Sequence, residues 1–253
     1  MTSHALSDIT VLTGRSLRHI TRSLDTILTT AIMPVAIMLL FVFVFGGAID
    51  TGGTAYIDYL LPGILLITVA SGVAYTSYRL FLDLQSGIVE RLRSMPISRS
   101  AVLWAHVLTS LAANLVALAV VVGVALVMGF RSAANVAQWA AVVGILVLFT
   151  LALTWIAVIA GLSARSVDGA GAFSYPLILL PFVSSAFVPT ATMPEPVRVF
   201  AENQPVTSIV DTLRGLLSGQ PIASDAWVAL AWCGGIIAIA YAAAVLVYRR
   251  RFR

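Results

Sequence analysis

The sequence contains no lysine, a single cysteine and three histidines, and all 15 of its basic residues are arginines. The absence of lysine excludes the phosphate-binding loop of P-loop ATPases, which places a lysine on the nucleotide phosphates. It also excludes Schiff-base chemistry on a lysine amine. Cys233 cannot form a disulfide within the chain, and with His4, His19 and His106 it gives no metal-ligand spacing. We therefore expect no catalytic residue, cofactor site or metal site in this chain.

Charged residues are also scarce, at 10% against roughly 25% in ordinary globular domains. Six stretches without any Asp, Glu, Lys or Arg account for 157 of the 253 residues: 26–49, 59–78, 100–130, 132–164, 169–194 and 226–248. A soluble fold could not solvate so much apolar surface, and a membrane-spanning helix needs about 20 apolar residues. The composition predicts an all-α, polytopic membrane protein with a single transmembrane domain over residues 1–253.

We predict six transmembrane helices from these stretches. They are Ile27–Ile49, Tyr59–Phe81, Val102–Gly129, Val136–Ser163, Ala172–Ala191 and Trp227–Tyr248. With the N-terminus inside, twelve arginines lie on the inner side and three on the outer side. This positive-inside bias predicts that both termini are cytoplasmic. It also explains the net charge of +4 without nucleic acid, because arginines beside membrane spans anchor to lipid headgroups.

The N-terminal residues 1–26 predict an interfacial helix, since Leu17, Ile20 and Leu24 share one helical face and arginines occupy the other. This helix is either a simple membrane anchor or an elbow that also touches a cytoplasmic partner.

A second amphipathic segment, 83–99, lies between spans two and three. Within it Ile88, Leu92 and Met95 share a face, and Pro96 disfavours helical geometry at the residue before it. It is either a docking helix or a solvated loop.

The third amphipathic segment, 193–226, lies on the predicted outer side. Its apolar residues recur at helical spacing from Val206 to Leu217, and twelve residues are too few to span. We predict a re-entrant helix that dips into the outer leaflet. The span before it contains Pro176, Pro181 and Pro189, which predicts a kinked or broken helix facing protein or a pathway rather than lipid.

Polar side chains within the predicted spans are the candidates for a translocation path: Tyr75, Ser77, Asn114, Ser184 and Ser185. Asn114 either makes a helix–helix hydrogen bond or contacts substrate. Tyr75 and Ser77 either line an inner opening or belong to an interfacial belt. No charged residue occupies the middle of a span, which argues against a proton- or sodium-coupled carrier. An apolar or amphipathic cargo fits this composition better.

Two strings of residues carry a resemblance to a known family. They are Glu90-Arg-Leu-Arg-Ser-Met-Pro-Ile-Ser-Arg99 and Pro205-Val-Thr-Ser-Ile-Val-Asp-Thr-Leu-Arg-Gly215. Together with the order of spans and amphipathic segments, they resemble permease subunits of ABC exporters. The class includes daunorubicin-resistance and polysaccharide-export permeases.

The resemblance implies a complex of two permease subunits and two copies of a separate ABC ATPase that binds ATP and Mg. The two permeases would be either a pair of this chain or this chain with a paralogue. The helix after span two would then transmit the closure of the ATPases. The residues implied in coupling are Asp83, Ile88, Glu90, Arg91, Leu92, Arg93 and Met95, with Arg79 and Asp83 paired at the base of the helix.

The function predicted from the sequence is export of hydrophobic drugs or lipid-like molecules across a bacterial cytoplasmic membrane. Three alternatives remain: the same fold carrying a lipid-linked polysaccharide or peptide, a secondary carrier, and a membrane scaffold without transport. A carrier predicts inverted repeats. A scaffold predicts that replacing Glu90 leaves partner binding intact.

Overall fold

The structure is a computed structural model, and it describes residues 24–47, 55–89, 101–220 and 225–251. These residues are helical with connecting turns, and no strand occurs among them. The helices are α1 (Leu24–Leu40, continued by a π-helical turn Phe41–Phe45), α2 (Tyr56–Gln85), α3 (Ala101–Val127), α4 (Val136–Ser163), α5 (Val167–Ala172), α6 (Ser174–Leu179, continued by a 3₁₀ turn Leu180–Val183), α7 (Glu195–Asn203), α8 (Pro205–Leu217) and α9 (Asp225–Arg251). A further 3₁₀ turn covers Thr190–Thr192.

Four helices are long and apolar enough to cross a membrane: α2, α3, α4 and α9. Each has 27 to 30 residues, and at about 1.5 Å per residue each exceeds the roughly 30 Å of the hydrocarbon core. They agree with predicted spans two, three, four and six. Large apolar side chains stay exposed on their outer faces, such as Val127 at 89% and Val136 at 87%. Exposed apolar surface of this kind is compatible with contact to lipid rather than to water.

Helix α2 is the centre of the fold. It packs against α1, α3, α4, α5, α6 and α8, and the run from Leu60 to Ala70 is buried without interruption. Two glycines permit close approach: a Cβ added at Gly63 would lie 2.6 Å from the Cβ of Ala186, and one at Gly161 of α4 would lie 2.8 Å from the carbonyl oxygen of Ser77. Helix α2, which contributes to both of the polar clusters described below, is therefore held by protein rather than lipid.

The helices define two ends of the molecule. We call the end that carries Arg79, Arg165 and Arg249–Arg251 the basic end, where the Arg251 guanidinium donates to the carbonyl of Leu162. We call the other the hairpin end, after α7 and α8, which follow one another there with only Gln204 between them and which we call the hairpin. At the hairpin end the backbone N–H of Ala133 donates to the carbonyl of Leu217 over 3.1 Å. The positive-inside rule predicts that the basic end is cytoplasmic.

The fifth apolar stretch forms a shorter helical segment than predicted, Val167–Val183, whereas the first is helical over Leu24–Phe45 within the described residues, against the predicted Ile27–Ile49. The fifth was expected at Ala172–Ala191, and this boundary was wrong: helical structure begins at Val167 and stops at Val183. The helix is interrupted at Phe173, and the backbone becomes extended at Ser184. Pro176 and Pro181 fit the break at Phe173 and the change to 3₁₀ geometry at Leu180, since each lacks the N–H that would bond the carbonyl four residues before it and its ring clashes with that carbonyl.

The hairpin follows the amphipathic pattern of its sequence. Pro205 occupies the first turn of α8, where its missing N–H has no intrahelical partner to lose. The apolar residues that recur at helical spacing are all buried: Val206, Ile209, Val210, Leu213, Leu216 and Leu217. They belong to the same apolar core as α2, α4 and α9. The Gln204 amide donates to the carbonyl of Val183, which joins the hairpin to the end of the broken fifth helix.

Candidate functional site

A row of residues, most of them polar, lines the contact between α2 and α3, and we call it the polar seam. On α2 it comprises Gly72, Tyr75, Thr76 and Arg79, and on α3 it comprises His106, Thr109, Ser110, Ala113 and Asn114. Each set recurs at spacings of three and four residues, which places its members on one face of a helix. The two faces meet, so the seam runs from the basic end to the middle of α3.

Three hydroxyl groups connect the seam to a third helix. The Thr76 hydroxyl donates to the Ser110 hydroxyl over 2.7 Å, and the Ser110 and Thr154 hydroxyls lie 3.4 Å apart. Thr154 of α4 in turn donates to the carbonyl of Thr150 over 2.6 Å. All of these side chains are buried. Hydrogen bonds between helices replace the hydrophobic drive that is missing inside a bilayer, so this network fixes the relative positions of α2, α3 and α4.

Asn114 closes the seam at its deep end. Its side chain is 1% exposed and its amide nitrogen donates to the carbonyl of Ser110 over 2.9 Å. A Cβ at Gly72 would overlap the Asn114 amide, so α3 can seat this side chain only against a glycine. The Asn114 oxygen accepts no hydrogen bond within the described part of the chain. The hydrogen bonds of Asn114 therefore stay within α3, and neither a hydrogen bond to another helix nor a substrate contact is seen for it in the described residues.

A cavity of about 30 Å³ opens within the seam. It is lined by Gly72, Tyr75, Thr76, Arg79, His106, Thr109, Ser110 and Ala113. Thr109 is 7% exposed, and its hydroxyl has no hydrogen-bond partner in the described residues. The Arg79 guanidinium lies over the Tyr75 ring, 5.8 Å from its centroid. A buried hydroxyl and a guanidinium therefore share one small cavity.

The basic end of the seam is formed by an acid and a histidine. The His106 Nε2 lies 3.3 Å from an Asp83 carboxylate oxygen, and the two side chains are 14% and 32% exposed. Asp83 was expected to pair with Arg79 at the start of a separate helix. It lies instead in the last turn of α2, where it contacts α3. The contact fixes the end of α2 against the start of α3.

A turn at Gly87 separates α2 from the segment that follows. Gly87 has a φ of +70°, a conformation that side chains with a Cβ disfavour, and the Ser86 N–H donates to the carbonyl of Leu82. Beyond the turn Ile88 is half-buried, and Val89 is buried in an apolar cluster that also includes residues from the basic ends of α2, α3, α4 and α9. The remaining predicted coupling residues, Glu90, Arg91, Leu92, Arg93 and Met95, lie outside the described residues, as does the interfacial helix predicted over most of residues 1–26.

A second polar cluster lies at the hairpin end. Arg214 donates to an Asp211 carboxylate oxygen over 2.7 Å, to the Ser185 carbonyl over 2.7 Å and to the Tyr59 carbonyl over 3.2 Å. Its guanidinium also lies 3.9 Å from the centroid of the Tyr59 ring. The Ser185 hydroxyl donates to Asp211 over 2.7 Å, and the Ser184 hydroxyl donates to the nearby Pro181 carbonyl. We call Arg214, Asp211, Ser185 and Tyr59 the arginine clamp.

Comparison with known proteins identifies the family. A family model described as ABC-2 type transporter matches residues 7–217. This chain belongs to the ABC-2 type transporter family. An ABC-2 permease of this kind is a multi-pass membrane protein, and its family implies an ABC ATPase as a partner subunit. The resemblance read from the two sequence strings is thereby confirmed.

Two relatives of this ABC-2 chain are permeases of drug-resistance transporters. The daunorubicin resistance ABC transporter permease protein DrrB1 of Streptomyces coeruleorubidus is 27% identical over 224 residues, which cover 87% of this chain and 78% of the relative. The probable doxorubicin resistance ABC transporter permease protein DrrC of Mycobacterium tuberculosis is 24% identical over 240 residues, which cover 94% of this chain and 87% of the relative.

Within this ABC-2 fold, the five candidate path residues divide between three places. Tyr75 lines the cavity, and Asn114 closes the seam above it. Ser77 is buried on the side of α2 that faces α4, while Ser184 and Ser185 are hydrogen-bonded at the hairpin end. The structure does not bring them together.

Sequence reasoning missed Thr76, Thr109 and Ser110 as members of the seam. A signal for them was present. His106, Thr109, Ser110 and Asn114 recur at helical spacing on an otherwise apolar helix.

Proposed function

We propose that this chain is the membrane-spanning subunit of an ATP-driven exporter that moves hydrophobic or lipid-like molecules out of the cell. The observation that carries the proposal is the similarity, over 87% of the chain, to a daunorubicin resistance permease. The amphipathic cargo fits a membrane domain whose polar groups are hydroxyls and amides deep in the spans, with charge confined near the ends. ATP and Mg would be bound by the partner ATPase, since the chain has no lysine for a P-loop.

We propose six crossings for the permease, with α2, α3, α4 and α9 as full spans and the helical segments Leu24–Phe45 and Val167–Val183 as the other two. The basic end then lies in the cytoplasm of a bacterial cell, as the arginine distribution predicts. The hairpin of α7 and α8 then lies in the outer leaflet. Its largely apolar buried face and its exposed N-terminal helix support a re-entrant position.

We propose that the segment after α2 couples the permease to the ATPase. Three described features support this role. Asp83 joins the end of α2 to α3, Gly87 sets a turn, and Val89 belongs to an apolar cluster that also includes residues of α2, α3, α4 and α9 at the basic end. A force applied to the residues beyond Val89 would therefore reach α3, α4 and α9 together. We assign the docking contact itself to Glu90, Arg91 and Arg93.

Affinity purification tests the assembly. The tagged chain is extracted from its native membrane in mild detergent, and its partners are identified with their stoichiometry. We expect a soluble P-loop ATPase at one copy per permease, and either one permease species or a paralogue beside it. Absence of any ATPase, even with ATP trapped and after mild crosslinking, would contradict the proposal.

A transport assay tests the direction and the cargo. Inside-out vesicles that contain the complex should accumulate a hydrophobic fluorescent amine or a fluorescent lipid only with ATP and Mg. The variant Glu90→Arg should abolish this uptake at normal abundance, whereas Glu202→Arg, an exposed acid on α7, should leave it unchanged. Wild-type uptake in Glu90→Arg would remove the segment after α2 from the mechanism.

A further inference from the structure

The cavity in the polar seam has an excess of hydrogen-bond donors. Arg79 contributes a guanidinium with five N–H donors, and the Thr109 hydroxyl has no partner in the described residues. Among those residues no carboxylate lies within ion-pair distance of Arg79. Asp83, the acid at the basic end of the seam, is in contact with His106. The cavity therefore presents positive charge to whatever enters it, and an unpartnered hydroxyl lies within its wall.

The size of the cavity limits what can enter. Its volume of about 30 Å³ exceeds the roughly 10–15 Å³ that a single water molecule needs. A drug-sized ligand needs a pocket of roughly 300–1,000 Å³. Only the oxygen-bearing end of a larger molecule fits, such as part of a phosphate or a carboxylate. The rest of that molecule must remain outside the seam.

The position of the cavity along α2 indicates from which side of the membrane such a molecule would enter. Arg79 is six residues before the end of α2, which is about 9 Å along the helix axis. That is the depth at which arginine side chains reach lipid headgroups at the end of a span. Tyr75 and Arg79 are both half-buried, so they are accessible from the leaflet at the basic end. The apolar part of a bound amphiphile would then lie in that leaflet.

We propose that the cavity between α2 and α3 binds the anionic end of an amphipathic molecule drawn from the leaflet at the basic end. Arg79 supplies the charge and the Thr109 hydroxyl supplies a hydrogen bond, while Gly72 and Ala113 line the cavity without a polar side chain. The inference deepens the proposed function, and it rests on that function for the statement that the bound amphiphile is cargo. The binding step itself requires no ATPase.

Native mass spectrometry of the purified chain tests the binding. The probes are phosphatidylglycerol and phosphatidylcholine with identical acyl chains, oleate, and inorganic phosphate. We expect retention of phosphatidylglycerol and of oleate over phosphatidylcholine. Competition by millimolar inorganic phosphate would assign the site to a free anion, and failure to compete would assign it to the amphiphile. Equal retention of phosphatidylglycerol and phosphatidylcholine would overturn the proposal.

Variants with matched controls locate the site. Loss of a hydrogen bond to a charged group corresponds to about a tenfold change in affinity, so Arg79→Gln and Thr109→Val should each weaken phosphatidylglycerol binding by about that factor. The controls are Arg165→Gln, an exposed arginine at the same end, and Thr68→Val, whose hydroxyl bonds only its own helix. An equal loss in a control and in its matched cavity variant would show surface attraction or general damage and refute the site.

The two proposals fail in different ways. If an ATPase copurifies but the cavity variants bind lipid like the wild type, the inference is wrong and the proposed function stands. If no ATPase is found but binding depends on Arg79 and Thr109, the cavity is a lipid site and the export function is wrong.

Discussion

Replacing Arg214 with methionine is expected to release the hairpin from α2. In the arginine clamp this side chain contacts the backbone at both Tyr59 and Ser185, and it ion-pairs with Asp211. Methionine keeps the length and the apolar stem but removes every donor. The variant therefore tests the polar contacts while it retains most of the packing.

The expected loss of stability follows from how deeply the contacting groups are buried. The Arg214 side chain is 21% exposed and Asp211 is 37% exposed, so the ion pair contributes less than about 1 kcal/mol. The two carbonyl contacts contribute about 1 kcal/mol each after allowance for partial exposure, and the guanidinium on the Tyr59 ring adds about 1 kcal/mol. We expect Arg214→Met to lower the free energy of unfolding by about 3 kcal/mol. This corresponds to a decrease in Tm of about 6–12 °C for a chain of this size.

The single cysteine provides the assay. Cys233 is 1% exposed and belongs to the same apolar core as the buried residues of α8. A thiol-reactive fluorophore therefore reports loss of that packing without any introduced cysteine. In a thermal ramp the variant should label at a lower temperature than the wild type. The control is Arg198→Met, which removes the same charge from α7 of the same hairpin. A Tm within 1 °C of the wild type, with unchanged Cys233 labelling, would refute the role assigned to the clamp.

Further predictions concern the close contacts and the coupling segment. Gly161→Ala should lower the free energy of unfolding by about 1–3 kcal/mol because its Cβ meets the backbone of α2. Gly144→Ala, which meets nothing within 4 Å, should be neutral in the same thermal ramp. Gly87→Val should lower stability by about 1–2 kcal/mol through its left-handed backbone, and it should also reduce ATP-dependent uptake in vesicles; wild-type values for both would contradict the fixed turn. Glu90→Arg should leave the amount of membrane-inserted protein unchanged, as measured by blotting of washed membranes, while partner ATPase recovery falls.

The four long spans could be predicted from the sequence because their apolar stretches are continuous. Residues 132–164, for example, contain no charge, and α4 begins at Val136 and ends at Ser163 as expected. The fifth stretch is equally free of charge, but its prolines divide it, and its ends depend on partners elsewhere in the chain. Hydropathy measures the transfer of side chains and contains no information about those partners.

The polar seam was only partly predictable for a related reason. A helical row such as His106, Thr109 and Ser110 can be found by spacing alone. Which helix faces that row depends on the glycine that fits Asn114, and this is a property of the packed structure. The arginine clamp joins residues 155 positions apart, and no local pattern predicts that contact.

The short segment between Val183 and Phe187 has a consequence for how the protein is assembled. Its carbonyl groups receive hydrogen bonds from Tyr56 and Tyr59, which are synthesised earlier, and from Gln204 and Arg214, which are synthesised later. Unsatisfied carbonyls are expensive in a bilayer. The carbonyl groups of this segment therefore have all of their hydrogen bonds only after the hairpin has been synthesised. During synthesis the first four apolar stretches can insert in order, and the fifth is completed only by the residues that follow it.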